Sequence, residues 1–589
     1  MQCYLKAFFK SLLFFLLVKA NHTLAQVATP VFIKLVNPVK ESNTVTSSRQ
    51  FIIGSTCITC SIKINEQNIK VYPTGAFAAE INLREGDSLF SIAAKNTGGK
   101  LSTKTIKYFF IPVPKPKPVD SLDIEKIETY PPGNLVLRAG DKIEFKVKAL
   151  PGSTMLTING TRLYEIPVSG SNAIPGIYQG EYIVKVNDSF PAMKFPVTLI
   201  STDGKRLTKE TSNMFSVMSP LGSDIALTAG RLAYLKYGLG DDRLGGAKIS
   251  YLDSLVSLKI VGKVGSDYKI QIAKNRTAYI PDHLVTLMPK GTFNSTSLTG
   301  SWSVYGDSLF DYVSIGLSAR LPYQSIQLIN PSRIIVDIFG ATNNTNWITQ
   351  LQSAKEIENV EYEQIADDIF RVTIFLKYTQ HWGHQVYYNG NNLIVKVRHQ
   401  PRSLLLKDLT IAIDAGHGGS NTGAGGPTGI LEKELALKVA LHLQHLLLNE
   451  GAKVIMTRTT ERLFENNDRI LFYRDSLPDL LISIHMNSAS DPIRAGGTST
   501  LYRYIGFRPL SSFINKRMLE LGLKEYGNIG SFNFMLNSPI EYPNALVETL
   551  FLSNPAEEML ILDDTFRQDV AKKIVLGIKD FLSNAAAGK

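Results

Sequence analysis

Two histidines and two glutamates in the last third of the chain have the residue types that metal-dependent hydrolysis requires. His417 stands in a Gly-rich loop, Glu432 follows it, and His485 and Glu548 come later in the sequence. A catalytic zinc takes three nitrogen or carboxylate ligands and keeps one position for water. A carboxylate that does not bind the metal can then move the proton of that water. His417, Glu432 and His485 therefore fit the ligand roles. Glu548 fits the role of the general base.

Four apolar runs separated by amphipathic stretches are the elements that would position these side chains. The predicted strands are 409–413, 453–457, 480–484 and 545–549, and the predicted helices are 434–449, 510–521 and 566–582. Continuous apolar runs that alternate with helices are typical of an open α/β sheet covered on both faces. Functional groups of such sheets collect just beyond the C-terminal ends of the strands. We therefore expect His417, His485 and Glu548 to share one edge of the sheet.

A structural role is the alternative for each histidine taken alone. His442 and His445 lie three residues apart on the predicted helix 434–449 and imitate a metal pair. We expect packing or exposure for these two residues. Placement at a strand end distinguishes His417 and His485 from them, but spacing alone leaves a metal site and a structural role equally open.

The chain ahead of this region consists of short β-type stretches split by turns. It has 589 residues, of which 44% are hydrophobic and 20% charged, so it is an ordinary globular sequence too long for one core. The predicted divisions are a signal peptide at 1–25, an Ig-like β-sandwich at 27–112, a second all-β module at 122–219, a Src-homology-3-like β module at 221–289, a further β domain at 295–400 and an α/β domain at 406–589. The predicted fold is therefore multidomain, with several small all-β modules followed by a C-terminal open-sheet α/β domain.

The β domain at 295–400 has its clearest strand patterns at 333–339, 370–376 and 392–398. It resembles the AMIN domain, a peptidoglycan-targeting module commonly found upstream of wall amidases. His381, Trp382 and His384 form either a binding patch or part of the core, and the strand-like sequence around the two histidines favours a structural role.

The N-terminus has the pattern of a cleaved signal peptide. Lys6 and Lys10 precede an apolar run at 11–18, and Ala25 is a small residue at a candidate cleavage site. The run is shorter than the roughly 20 residues that a transmembrane helix needs. We therefore expect export to the periplasm or cell envelope and no membrane span after signal cleavage. An uncleaved anchor is the alternative.

Two cysteines, Cys57 and Cys60, remain after signal cleavage. Two thiolates are too few for a four-cysteine zinc site. A local disulfide formed after export is therefore favoured over a zinc-knuckle or redox role.

The positive charge of the chain is dispersed along its length. The net charge is +11, without a run of basic residues or arginines interleaved with aromatic residues. These features argue against a nucleic-acid partner. They indicate mild attraction to an anionic envelope.

Four segments in order carry a resemblance to a known enzyme family. They are Ile413-Asp-Ala-Gly-His-Gly-Gly419, Leu431-Glu-Lys-Glu-Leu-Ala-Leu437, Ser483-Ile-His-Met-Asn487 and Leu546-Val-Glu-Thr-Leu-Phe-Leu-Ser-Asn554, with Arg469 ahead of the third. From about 409 to 584 the chain resembles the zinc-dependent N-acetylmuramoyl-L-alanine amidases. The resemblance implies that His417, Glu432 and His485 bind Zn2+ and that Glu548 is the catalytic glutamate. It also implies hydrolysis of the amide between N-acetylmuramic acid and L-alanine in peptidoglycan.

The sequence departs from the family pattern at two places. Asn421-Thr-Gly-Ala424 replaces the usual Asp-Pro-Gly-Ala run, which bears on contacts at the rim of the site. The interval from His485 to Glu548 has no room for the long regulatory helix of some members, so regulation would come from the N-terminal modules or an envelope activator protein.

Two other functions stay open: an envelope zinc peptidase that cuts within the stem peptide, and a non-catalytic wall-binding scaffold.

Overall fold

The structure is a computed structural model that describes residues 30–114, 116–169, 173–218, 224–240 and 242–588. The predicted signal peptide at 1–25 lies outside the described residues. The described residues form two compact units. The first contains those up to Pro112 together with Pro427–Gly429, and the second contains the others from Val113 onward.

Eight strands in the first unit form two sheets around one apolar core. They are β1 (Ile33–Asn37), β2 (Ser42–Val45), β3 (Arg49–Thr56), β4 (Ser61–Ile64), β5 (Gln67–Ile69), β6 (Ala76–Asn82), β7 (Gly86–Lys95) and β8 (Leu101–Phe110). One sheet has the order β1-β3-β6 and the other β2-β8-β7-β4-β5. The core includes Ile52, Phe77 and Ile92. Cys57 and Cys60, just after β3, form the predicted disulfide.

Sixteen strands of the second unit precede the AMIN-like region. They are β9 (Ile124–Tyr130), β10 (Leu135–Leu137), β11 (Lys142–Ala149), β12 (Thr154–Leu156), β13 (Arg162–Glu165), β14 (Ile177–Ile183), β15 (Pro196–Ile200), β16 (Arg206–Glu210), β17 (Phe215–Val217), β18 (Asp224–Thr228), β19 (Tyr234–Lys236), β20 (Lys248–Tyr251), β21 (Ser257–Val264), β22 (Asp267–Ala273), β23 (Arg276–Pro281) and β24 (Val285–Leu287). Seven of them form a sheet with the order β16-β15-β12-β13-β14-β11-β9.

The other nine strands join segments from two predicted modules. Their main order is β17-β10-β21-β22-β23-β19-β20, and β18 pairs with β21 and β24. Strands β10 and β17 come from the predicted module 122–219, yet they pair in the sheet that holds the strands of 221–289. The two modules therefore share a sheet, and the boundary between them stays a prediction.

Eleven strands follow in the AMIN-like region. They are β25 (Ser297–Leu298), β26 (Trp302–Gly306), β27 (Phe310–Ile315), β28 (Tyr323–Ile329), β29 (Ser332–Phe339), β30 (Ala341–Thr342), β31 (Ile348–Gln350), β32 (Ile357–Ala366), β33 (Ile369–Leu376), β34 (His384–Asn389) and β35 (Asn392–Arg398). The larger sheets have the orders β31-β26-β27-β35-β34 and β28-β29-β33-β32.

The two histidines of this region lie in the interior of the protein. His381 and His384 are buried, and the ring of Trp382 packs on that of Phe581 with 5.7 Å between centroids. The prediction of a structural role for these residues is confirmed, because a buried tryptophan and two buried imidazoles present no surface for a ligand.

The C-terminal region is a six-stranded sheet with helices. Its elements are β36 (Thr410–Ala415), α1 (Glu432–Asn449), β37 (Lys453–Met456), α2 (Asn466–Ser476), β38 (Leu480–Asn487), β39 (Thr498–Leu501), α3 (Arg508–Leu519), β40 (Glu525–Ile529), β41 (Asn544–Phe551), α4 (Pro555–Leu562) and α5 (Asp564–Ala587). The order is β37-β36-β38-β41-β39-β40. The four predicted strands are β37, β36, β38 and β41, and neighbours among them run parallel.

Apolar faces of the helices hold this sheet together. Leu435, Val439 and Leu443 recur along α1 at the spacing of one helix face and are fully buried. They share a core with residues of the sheet such as Ile413 and Ile484. Among the residues that the structure describes, none of the helices combines the length and apolar character needed to cross a bilayer.

Candidate metal centre and catalytic glutamate

The parallel register brings the predicted site residues to one edge of the sheet. Strand β36 ends at Ala415, two residues before His417, and Ala415 is opposite Ile484 on β38. The next residue on β38 is His485, whose register partner on β41 is Glu548. Side chains at the carboxyl ends of three adjacent strands therefore converge, as the strand-end rule predicts.

Glu432 lies between the two histidines. Its Oε1 is 3.0 Å from Nε2 of His417 and 3.0 Å from Nδ1 of His485. The candidate ligand atoms of the three residues all lie within 4.8 Å of one another. The two imidazole rings meet edge to face with centroids 4.9 Å apart. The structure thus brings the three predicted ligands together.

Backbone amides orient the Glu432 carboxylate at the start of α1. The amide of Met486 donates to Oε1 at 3.0 Å, and the amide of Ala424 donates to Oε2 at 2.7 Å. Burial would raise the pKa of Glu432, but hydrogen bonds with His417 and His485 reverse this effect and hold the pKa well below its usual range. The residue is therefore an ionised carboxylate, which is the form that binds a metal.

The loop after β36 fixes the orientation of His417. Its Nδ1 is 2.8 Å from Oδ1 of Asn421, and this hydrogen bond leaves Nε2 directed at Glu432. Gly423 has a φ of +66°, and a Cβ there would lie 2.4 Å from Oε2 of Glu432. Only glycine satisfies both the backbone conformation and this close approach.

His485 packs against the first glycine of the same loop. A Cβ on Gly416 would lie 2.5 to 2.7 Å from three atoms of the imidazole ring. The ring of Phe534 meets it edge-on at 5.8 Å. His485 is only 5% exposed, and its Nε2 is enclosed without a hydrogen-bond partner among the described residues.

Two buried arginines hold the Gly-rich loop to the sheet. Arg469 pairs with Asp414 at 2.7 Å and also donates to the carbonyl oxygens of Ala415 and His417. Arg458 donates to the carbonyl of Gly416 at 2.7 Å. The sequence pattern indicated Arg469 but not Arg458, which follows the short strand β37 with no local signal beyond its charge.

Glu548 has a free carboxylate oxygen beside the candidate ligands. Its side chain is half-buried, but Oε2 is enclosed and makes no hydrogen bond to any described residue. Burial raises the pKa of Glu548 to about 7, although the neighbouring charge of His485 acts in the opposite direction. A carboxyl group with a pKa near neutrality can both accept and donate a proton, which is the requirement for a general base that later acts as an acid.

The donor set fits a zinc ion. Two imidazole nitrogens and one carboxylate oxygen are a ligand set of catalytic zinc sites. His442 and His445 do not join a metal cluster among the described residues. Instead His442 contacts Asp564 at 3.0 Å and His445 contacts Asn449 at 3.4 Å on the outer face of α1.

Two protein-family models match parts of this chain. The family model described as N-acetylmuramoyl-L-alanine amidase matches residues 411–580, and the AMIN domain model matches residues 305–397. The amidase model thus matches the region that contains His417, Glu432, His485 and Glu548. Both resemblances predicted from the sequence are confirmed, and the AMIN domain lies upstream of the amidase domain.

Relatives of the amidase domain include cell wall proteins of staphylococci. Two of them, from Staphylococcus epidermidis and Staphylococcus aureus, carry the name "Probable cell wall amidase LytH". They are 34% identical over 181 and 180 residues, respectively. Each match covers 30% of this chain and 60% of the relative, so the chain spans less than two thirds of the relatives' length.

A solved structure also matches this part of the chain. It is the N-acetylmuramoyl-L-alanine amidase from Clostridium difficile 630, which is 29% identical. The match covers 30% of this chain and 97% of that chain, with a TM-score of 0.29.

Proposed function

We propose that the protein is an exported N-acetylmuramoyl-L-alanine amidase that uses zinc. The observation that carries the proposal is the convergence of His417, Glu432 and His485 around one point, with the unpartnered Glu548 Oε2 beside them. This arrangement supplies three metal ligands and a separate base in a domain of the amidase family. The substrate would be the amide between N-acetylmuramic acid and the L-alanine of the stem peptide.

His417, Glu432 and His485 would hold the zinc through two nitrogens and one oxygen. When bound, the zinc would lower the pKa of a water molecule and polarise the scissile carbonyl. Glu548 would take the proton of the attacking water and then give it to the departing amine of L-alanine. A pKa of about 7 suits the Glu548 carboxyl to both transfers at neutral pH. Asn421 and the amides of Ala424 and Met486 would keep the ligands in position.

The upstream regions would bring this site to its substrate. We propose an Ig-like module at 27–112, a second β module at 122–219, a Src-homology-3-like module at 221–289 and a wall-binding AMIN domain at 295–400, after a signal peptide at 1–25. The AMIN match supports a location in the cell envelope. Regulation by an envelope activator protein stays a prediction.

Digestion of purified peptidoglycan tests this function. The full chain with zinc is expected to release intact stem peptides with free L-alanine amino termini, detected by labelling of amino groups and mass spectrometry. Removal of zinc with a chelator should abolish release, and zinc should restore it. Peptides shortened within the stem would identify an envelope peptidase. A zinc-loaded protein that binds peptidoglycan without cutting it would identify a scaffold.

A further inference from the structure

A loop of the predicted Src-homology-3-like module rests on the amidase domain. We call residues 242–248, between β19 and β20, the 242–248 loop. The side-chain amide of Asn533 donates to the carbonyl oxygens of Leu244 and Gly246, each at 3.1 Å. The backbone amide of Lys248 donates back to Oδ1 of Asn533 at 3.3 Å. One amidase residue thus contacts the loop backbone at three points.

Arg503 of the amidase domain holds the same loop from a second direction. One of its guanidinium nitrogens donates to Oδ1 of Asn533 at 2.6 Å, and another donates to the carbonyl of Lys248 at 2.7 Å. Gly246 is buried beneath these contacts. Because the hydrogen bonds go to backbone atoms, they fix the path of the loop and not only its side chains.

These anchors lie next to the candidate active site. Asn533 precedes Phe534, whose ring meets the ring of His485 edge-on at 5.8 Å. The residues that hold the loop are therefore continuous with a wall of the metal site. A segment more than 160 positions upstream of His417 in the sequence thus lies next to the metal site.

Three side chains of this loop are charged. Oδ1 of Asp242 accepts a hydrogen bond from the Leu244 amide at 2.7 Å, and Nζ of Lys248 lies 5.1 Å from the centroid of the Tyr234 ring. Arg243 is the third. It is exposed and has no ion-pair partner within the part of the chain that the structure describes. Arg243 directly precedes Leu244, whose carbonyl oxygen accepts a hydrogen bond from Asn533 at 3.1 Å. Arg243 therefore lies beside the anchor that adjoins the metal site, and its positive charge is among those that act on Glu548.

We propose that Arg243 is a specificity-determining residue that binds a carboxylate of the substrate's peptide beside the scissile amide. The inference rests on the proposed amidase function. The lactyl carboxyl of N-acetylmuramic acid is consumed in the scissile amide, so free carboxylates near this bond belong to the peptide. A guanidinium fork matches a carboxylate in two parallel hydrogen bonds. The Src-homology-3-like module would then be part of the substrate cleft.

Two matched substrates test this role. One is N-acetylmuramoyl-L-alanyl-D-glutamate with both carboxylates free, and the other is the same compound with both carboxylates amidated. For the charged substrate, Arg243→Ala in the full chain should raise KM about two- to fivefold, as expected for one exposed ion pair, with little change in kcat. For the amidated substrate, KM and kcat should not change. Arg243→Lys should recover part of the loss.

The controls separate this inference from the proposed function. Arg206→Ala, which removes an exposed arginine on β16, should leave both substrates unaffected. An Arg243→Ala variant that is unchanged, equally impaired on both substrates or faster on both would overturn the role of Arg243. Failure of the unaltered, zinc-loaded chain to cut either compound or peptidoglycan would instead refute the amidase function.

Discussion

His485 and Glu548 are direct register partners on the adjacent parallel strands β38 and β41. A candidate metal ligand and the candidate base therefore stand on neighbouring strands, whose backbones lie about 4.8 Å apart in a sheet. Their separation is set by backbone hydrogen bonding and not by a flexible loop. Positions on rigid elements hold catalytic geometry better than positions on loops do.

The close packing of Gly416 against His485 predicts a specific defect in metal binding. Gly416→Ala would place a Cβ 2.5 Å from the imidazole, so the ring must shift from its present position beside Glu432. We expect zinc affinity to fall at least about tenfold, as when an outer-shell contact is lost. Competition with a zinc chelator measures this change.

Gly425 in the same loop provides the control for that experiment. A Cβ at Gly425 would contact no atom within 4 Å. Gly425→Ala should therefore bind zinc as tightly as the unaltered chain. Equal zinc affinity of the two alanine variants would contradict the packing argument.

The hydrogen bond between His417 and Asn421 predicts a role for a residue that departs from the family pattern. The sequence pattern predicts that this loop bears on contacts at the rim of the site. The structure gives Asn421 a contact with Nδ1 of His417 at 2.8 Å. Asn421→Ala should weaken zinc binding about 10- to 100-fold.

The neighbouring residue Ser420 offers a matched comparison for Asn421. Its side chain is exposed, so Ser420→Ala should leave zinc affinity unchanged. Zinc titrations of the two variants in the same buffer decide the point. If Asn421→Ala retains full affinity, the asparagine does not orient the ligand.

The buried ion pair between Asp414 and Arg469 predicts a large loss of stability. Asp414→Asn would leave the buried Arg469 guanidinium without the negative charge that lies 2.7 Å from it, because both residues are buried. Breaking a buried pair on one side typically lowers the free energy of unfolding by about 3–5 kcal/mol. Calorimetry of the amidase transition in the full chain measures the loss.

The partly exposed pair of Arg517 and Asp580 is the comparison for that substitution. These two residues are 2.6 Å apart on α3 and α5, but each side chain is about 30% exposed. Asp580→Asn should lower stability by no more than about 1 kcal/mol. Similar losses for Asp414→Asn and Asp580→Asn would contradict the assigned difference between buried and exposed pairs.

Glu356 in the AMIN domain predicts a dependence of stability on pH. Burial raises the pKa of Glu356 to about 8, and its Oε1 has no hydrogen-bond partner among the described residues. Between its ordinary pKa near 4.5 and about 8, the folded state holds a proton that the unfolded state has released. The free energy of unfolding therefore falls as pH rises through this window, by up to about 1.4 kcal/mol per pH unit.

Substitution of this carboxyl group should remove the pH effect. Glu356→Gln should be more stable than the unaltered chain at pH 8. The difference should shrink toward pH 4.5, because the carboxyl is then protonated in the folded state and about half protonated in the unfolded state. Exposed Glu358 supplies the control, and Glu358→Gln should keep the original slope. Thermal unfolding midpoints across this range provide the measurement, and an unchanged slope in Glu356→Gln would refute the assignment.

The sequence was informative where a local pattern determines the structure. Apolar runs identified β36, β38 and β41, and their C-terminal ends located His417, His485 and Glu548. Strand β39 was not predicted because Thr498–Leu501 is mostly polar and so lacks an apolar run, although all four of its residues are buried. Helix α2 was not predicted because few of its residues are buried, and its sequence therefore lacks a clear apolar face.

Features that depend on contacts between residues distant in the sequence could not be predicted from the sequence. Arg458 and Asn421 acquire their roles only through the path of the Gly-rich loop. The position of Arg243 depends on Asn533, which lies in another region of the chain. No periodicity or spacing encodes such pairings, because each is set by tertiary packing.

Glu548 is proposed to move the proton, while His417, Glu432 and His485 hold zinc. Glu548→Gln preserves the size of the side chain but removes its basic group, so turnover on peptidoglycan should fall by about 10²- to 10⁴-fold. Bound zinc, measured by elemental analysis, should stay at the level of the unaltered chain. Glu525→Gln, an exposed glutamate on β40, should keep both zinc and turnover.

The decisive measurement is therefore the rate at which zinc-loaded Glu548→Gln releases stem peptides with free L-alanine amino termini. We expect full zinc occupancy with release reduced at least about a hundredfold. Release at the rate of the unaltered chain, with zinc still bound, would contradict this expectation.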